Sequence, residues 1–316
     1  MSYWIVALLA WIAAGARVGR AIVRAPTMVR FAIVAAVASL AVGAFVATPE
    51  LRVLLGRHVD VDLLSVGLWM VSAASSFVIA AAVWPLDSRR AVGRFAGVVY
   101  GLAAVAVGAA WVLDAPWIAC AVVVAMFGVV SVTGVRHLAP TPLGRGIALF
   151  TAGSAVIVVA GVAAIVRNGS PFFDPGWPWA LGTALMASGA LWFMVEAWVR
   201  ARIVLARLRK VHRLVTERFP EVVDGDLAHS SSVLRASDQV SQILDALYLQ
   251  IGLGMGGLDD SPVPSSAAER ARVVAQWVDH SPEVPFDPEW ISTPDGVSDR
   301  RWVLEIARAH SRLARR

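Results

Sequence analysis

Cysteine, lysine and charge are all scarce in this chain, and each scarcity excludes something. Cys120 is the single cysteine. It lies inside an apolar run and provides neither an internal disulfide nor a multi-cysteine metal site. Charged residues make up 16% of the 316 residues, against about 25% in an ordinary soluble domain. Hydrophobic residues make up 58%, and the mean hydropathy is +0.66. These values exclude a disordered chain, a disulfide scaffold and a typical soluble enzyme. Catalytic signatures are missing as well. There is no nucleophile elbow, no H-E-x-x-H and no Gly-Lys-Ser/Thr phosphate loop. The glycine-rich run from Gly252 follows a helical pattern rather than a strand, so it does not read as a nucleotide loop. His212, His229, His280 and His310 stand far apart in sequence, without a carboxylate pair. Ser230, Ser231 and Ser232 beside His229 complete no catalytic pattern. The expectation is a chain without catalytic, cofactor-binding or metal-binding residues.

What is present is long apolar runs. Seven can be marked, at about 3–18, 31–48, 63–84, 95–113, 116–134, 147–166 and 177–199. A helix needs about 20 apolar residues, range about 17–25, to cross a hydrocarbon core of about 30 Å. Five runs meet this easily. Phe31–Ala47 is 17 uncharged residues, and the first run has 14 apolar residues before Arg17. A cleaved signal peptide carries positive charge ahead of its apolar stretch. Here Arg17, Arg20, Arg24 and Arg30 come after it, which favours a retained helix, with Arg17 and Arg20 snorkelling to the interface.

Loop charge sets the expected orientation. Residues 1–199 hold 12 arginines and 7 acids, whereas residues 200–316 are neutral in sum, so the whole formal +5 lies in the apolar half. With the N-terminus outside and seven spans alternating, nine loop arginines fall inside and three (Arg52, Arg57 and Arg167) fall outside. The predicted fold is all-α and polytopic: seven transmembrane helices over 1–199, N-terminus out and C-terminus in. A basic juxtamembrane helix over 200–218 and a small helical cytoplasmic domain over 219–316 follow. Asp114-Ala115-Pro116 makes a tight hairpin between the fourth and fifth spans, since proline is accepted in a first helical turn. Trp4, Trp84, Trp111, Trp117, Trp177, Trp179 and Trp198 sit near helix ends, as an interfacial aromatic belt does.

Within the spans, Gly93, Gly97 and Gly101 share one helix face and suit close helix packing, inside the bundle or at a seam between two copies. Charge is rare there. Glu196 is the exception, placed to pair with Arg200 at i,i+4 or to act as a functional intramembrane charge. Ser65, Ser72, Ser75, Ser76 and Ser154 are small polar groups that suit a pocket or satisfy themselves on the helix backbone.

Past Trp198 the helical pattern continues to about Phe219, with seven bases and one acid over 200–218. Arg200, Arg202, Arg207, Arg209, Lys210 and Arg213 are candidate contacts for anionic lipid headgroups. Nucleic acid is not expected, because the rest of the tail is acidic: residues 219–305 hold 15 acids and 5 arginines. Pro220 stops the helix. Apolar stripes predict helices over 233–250 (Val240, Ile243, Leu244, Leu247, with Ser232 as cap), 267–279 (Val273, Val274, Trp277, Val278) and 299–315 (Trp302, Ile306, Ala309, Leu313). Ser266 with Glu269 reads as a capping box. The proline-containing stretches 252–264 and 281–298 read as loops.

The layout of seven spans, an outer Ala47-Thr48-Pro49-Glu50 and a helical tail opening on a basic linker resembles a family of actinobacterial membrane proteins. These are described as transporters or regulatory membrane proteins with a C-terminal domain of unknown function. The tail segment Val240–Leu249 is similar to that family's tail helix. Where the family has a Leu-Trp pair, this chain has Leu208-Arg209. The resemblance implies a regulatory setting and carries over no catalytic residue. Two functional classes follow: a membrane sensor or scaffold whose tail docks a cytosolic partner, and a transporter of an apolar or lipid-like substrate. A membrane enzyme ranks behind both, because the polar groups do not cluster.

Overall fold

The structure, a computed structural model, describes residues 3–22, 27–84, 89–167, 176–223, 232–253, 263–264, 266–278 and 287–314. Arg24, Asp174, His229, Ser230, Ser231, His280, Arg315 and Arg316 lie outside the described residues. So do most of the loops 167–178 and 252–264, and the side chains of Arg20 and Arg89. The described residues are helical, and by contacts the chain forms two compact units, Met1–Met194 and Val195–Arg316.

Unit 1 contains α1 (Tyr3–Ile22), α2 (Met28–Val46), α3 (Pro49–Leu55), α4 (Val61–Ala81), α5 (Arg89–Val112), α6 (Pro116–Arg136), α7 (Pro142–Val166) and the first part of α8 (Trp177–Arg218). Six of these, α2, α4, α5, α6, α7 and α8, are long and apolar enough to cross a membrane. α1 is 20 residues long, and its described apolar part, Tyr3–Gly19, is shorter than these six. The chain is therefore an all-helical multi-pass membrane protein. Its outer surface agrees: Val98, Leu102, Val105 and Val159 sit mid-helix, each at least 60% exposed. Such a surface matches lipid as the surrounding solvent, since lipid tails leave no penalty for exposed valine and leucine.

Local chemistry places the helix ends. Thr27, Asp60 and Thr141 accept backbone N–H bonds as N-caps of α2, α4 and α7. Pro116 opens α6. α5 closes on Asp114 at φ +49°, with the Ala115 N–H bonded to the Ala110 carbonyl at 2.9 Å. That is a left-handed cap of the Schellman type, and aspartate tolerates it better than a branched residue. It produces the hairpin read from the sequence. The short helix α3 was not expected. It fills the connection after α2, opened by Pro49 and carrying no buried residue.

Unit 2 contains the remainder of α8, a 3-10 turn at Pro220–Val222, α9 (Ser232–Leu253), α10 (Ala267–Val278), α11 (Pro288–Ile291) and α12 (Asp299–Leu313). Its core combines Leu208 and Val211 of α8, Ile243 and Leu247 of α9, Val274 of α10 and Trp302 and Ile306 of α12. Two expectations are corrected here. The stretch 281–298 is not all loop, because Asp287 caps Glu289 and Pro288 opens the single turn of α11. Ser232 lies within α9 rather than ahead of it as a cap.

Candidate functional site

Inside unit 1 the helices are closely packed. The α7 and α8 backbones meet at glycine. A β-carbon built on Gly153 would stand 2.7 Å from the Gly182 carbonyl oxygen, and one on Gly189 would stand 2.6 Å from that of Gly146. Gly146 and Gly153 on α7 are seven residues apart, as are Gly182 and Gly189 on α8, so the two contacts lie two turns apart on one seam. Gly93, Gly97 and Gly101 behave differently. Nothing approaches within 4 Å of a β-carbon built on any of them. Packing of that face within the bundle is thus overturned: α5 turns Ala96, Val99, Ala103, Ala106 and Ala110 inward instead. A seam with a second copy is neither used nor blocked by this arrangement.

The serines do not form a site either. Ser72 donates to the Ala36 carbonyl at 3.2 Å, and Ser75 lies 2.9 Å from the Tyr100 hydroxyl. Ser154 donates to its own helix at Phe150. The cavity among α1, α2, α4 and α8 measures about 30 Å³, roughly one water's share of liquid volume. It is lined by Tyr3, Gly43, Ala47, Trp69, Trp179 and Thr183, among others, and by none of the serines named from the sequence. Trp179 is a correction to the belt: it is 5% exposed and meets Trp69 edge-on at 4.9 Å between ring centroids. The other six belt tryptophans are exposed.

Both ends of α1 are tied to the bundle. Trp4 Nε1 donates to Glu50 Oε2 at 3.1 Å. Arg17 donates to the Ala190 carbonyl from Nε at 3.2 Å and from Nη2 at 2.7 Å. The sequence marks Arg17 only as a snorkelling charge, and this cross-helix anchor was missed.

In unit 2, Glu196 forms the i,i+4 pair with Arg200 at 2.6 Å; the arginine is 55% exposed and the carboxylate 12%. Beyond it α8 splits into two faces. Ala201, Val204, Leu208, Val211, Val215 and Phe219 recur at three- and four-residue steps and are all buried. Arg200, Arg202, Arg207, Arg209, Lys210 and Arg213 are all exposed. The Arg202 guanidinium lies over the Trp198 ring at 5.2 Å. His212 Nε2 meets Gln242 Oε1 at 2.8 Å, and Arg218 donates to Gln250 Oε1 and to the Val278 carbonyl. These polar contacts sew α8 to α9 and α10.

Arg270 is a buried cation of unit 2 that sequence reasoning missed. It sits on the α10 stripe with Val274 and Val278 and is 7% exposed. Its Nε donates to the Trp290 carbonyl at 2.6 Å, and its Nη2 donates to the carbonyls of Glu289 and Ser292 and to Ser292 Oγ. The guanidinium also lies 5.3 Å from the Trp302 ring centroid. Burial draws its pKa below the ordinary guanidinium value, with Glu289 acting in the opposite direction. The side chain thus satisfies the C-terminal carbonyls of α11 and fixes residues 287–292 over the core. Arg270→Met is expected to leave those carbonyls unpartnered, at a cost of about 1–3 kcal/mol. Hydrogen exchange should rise over 287–292 first. Arg270→Lys should not rescue it, because an ammonium cannot fork and stack as a guanidinium does.

Among the described residues no group of three or more His, Cys, Asp or Glu converges as a metal site would. No family model matches this chain, and neither does any curated protein or solved structure.

Proposed function

We propose that the chain is a seven-span cell-membrane protein with its N-terminus outside, whose C-terminal helical unit docks a cytosolic protein in a regulatory system. This reading places it with the actinobacterial seven-span membrane proteins that its layout resembles. The observation that carries it is the contrast between the two units. Unit 1 packs its helices down to backbone contact, α7 against α8 at Gly153–Gly182 and Gly146–Gly189, whereas unit 2 has its own core and an exposed basic helix face.

The seventh span, α1, is supported by its two ties. Trp4 and Arg17 are 13 residues apart, about 20 Å along a helix. Val6, Ala7, Ala10, Ala13 and Ala14 are buried, while Ile5, Leu8 and Ile12 are exposed apolar side chains. That is the division a lipid-facing span makes. The loop arginines give the orientation. Arg200 and Arg202, beside Trp198, are placed to meet anionic headgroups.

Docking and transport separate at Glu196. Glu196→Gln is expected to cost under about 1 kcal/mol, since its partner is half exposed, and to leave the docking function intact. A carrier using Glu196 as its coupling charge would instead lose substrate accumulation in vesicles of the host's lipids. The direct test compares the full chain with one ending at residue 218, both isolated from native membranes. A cytosolic protein retained near one-to-one only by the full chain supports the proposal. Equal retention by both, or none together with accumulation of an apolar substrate, overturns it.

A further inference from the structure

The exposed bases of α8 fall into two groups by their distance from the membrane. Val199 and Ile203 are the last large apolar side chains exposed on this helix, and Trp198 is the last tryptophan on it. A helix rises 1.5 Å per residue, so Arg202 lies about 6 Å beyond Trp198, Lys210 about 18 Å and Arg213 about 22 Å. The headgroup layer on each side is about 5–8 Å thick. Attraction to it decays over a Debye length of about 8 Å. On a helix that leaves the membrane along its normal, Arg202, over the Trp198 ring, would meet the headgroups, and Lys210 and Arg213, further along the unbroken α8, would lie beyond their reach.

Among the described residues these distal bases are also unspent. The opposite face of α8 is buried in the unit's own core, so Arg209, Lys210 and Arg213 all point away from it. Arg207, Arg209 and Lys210 make no ion pair among the described residues, and Arg213 has only a loose, exposed contact with Glu217 at 3.6 Å. Holding four bases within seven residues on a rigid helix costs mutual repulsion that an acidic partner would relieve. A second copy offering the same face would repel it. The stretch from Arg207 to Arg213 is about 9 Å long, enough for only a few phosphates, and the tail beyond it is acidic. Nucleic acid is therefore a poor fit.

We propose that Arg209, Lys210 and Arg213, flanked by Arg207, form the docking face for an acidic segment of a cytosolic protein. The proposal rests on the docking reading above and names its face and chemistry. Photo-crosslinking in living cells tests it, using the full chain with the crosslinking residue at Ala206, the exposed position amid the stripe. Ser241 on α9 and Arg272 on α10, both exposed, serve as comparison sites. The expected result is an adduct from Ala206 to a protein, mapped by mass spectrometry to an Asp/Glu-rich segment. Its yield should drop at least tenfold in R209Q/K210Q/R213Q and stay within twofold in R300Q/R301Q/R308Q, which removes equal charge from α12. In isolated membranes the wild-type yield should also fall between 0.05 and 0.5 M salt, a readout that needs no variant. A phospholipid adduct from Ala206 overturns the proposal in favour of the membrane. So does a protein adduct insensitive to both the triple substitution and salt. Adducts only from Ser241 or Arg272 overturn this face while leaving docking itself standing. Adducts from none of the three sites overturn both.

Discussion

Replacing Gly153 with alanine should lower the thermal unfolding midpoint of the purified protein by about 5–10 °C. The added β-carbon would stand 2.7 Å from the Gly182 carbonyl oxygen and 2.8 Å from the Met186 nitrogen. Both are backbone atoms that cannot rotate aside, so α7 and α8 must separate. Overpacking of this kind costs about 1–3 kcal/mol, and a degree-scale shift of a few per kcal/mol follows for a unit of this size. Gly153→Leu should be worse, abolishing a monodisperse peak on size exclusion. Gly97→Ala and Gly101→Ala should move the midpoint by no more than about 2 °C, because open space surrounds both positions. Equal tolerance at Gly153 and Gly97 would contradict the packing described.

Trp302→Ala should unfold unit 2 while leaving unit 1 in place. The Trp302 ring is 0% exposed. Its Nε1 donates to the Ile291 carbonyl at 2.7 Å, and the Arg270 guanidinium lies over its face. Truncating a buried tryptophan costs about 3–5 kcal/mol, which is a large share of the roughly 5–15 kcal/mol that stabilises a whole domain. Hydrogen exchange on the full chain should show protection lost across α9, α10 and α12 together, with α4 and α6 unchanged. Loss confined to α11 and its neighbours would mean the core does not depend on this residue.

These two sites were not equally legible in the sequence. The membrane class, the hairpin at Asp114 and the extension of α8 past Trp198 could be read because each rests on composition, chain length or a local cap. The stripes Val240-Ile243-Leu247 and Trp302-Ile306 were legible for the same reason: a helix's periodicity states which face is buried. Periodicity does not state what lies opposite that face. Gly93, Gly97 and Gly101 have the spacing of a packing face, yet α5 turns its alanines to the bundle. The matching seven-residue intervals of Gly146 with Gly153 and Gly182 with Gly189, on consecutive helices, were the signal that would have found the true seam. Trp179 sits near a helix end as the belt tryptophans do, and only its rotation about α8 sends it inward to Trp69. Arg270 was hidden by its charge. Its place in the 270-274-278 stripe marks it as inward-facing, but its partners arrive from a turn 19 to 22 residues away. The basic face of α8 was visible as a count of bases. That these bases lie at increasing distance from Trp198 along one axis required the helix to be continuous.

A docking tail must lie in the cytosol, so orientation is decisive. The most direct measurement is labelling of intact cells with a membrane-impermeant maleimide. Cys120 is buried and contributes little background. Single cysteines would be placed ahead of Met1, at Val53 on the exposed surface of α3 and at Arg209. The proposed orientation predicts labelling of the first two in intact cells, and of Arg209→Cys only after permeabilisation. Labelling of Arg209→Cys in intact cells, or protection of the N-terminal cysteine while Val53→Cys reacts, would contradict it.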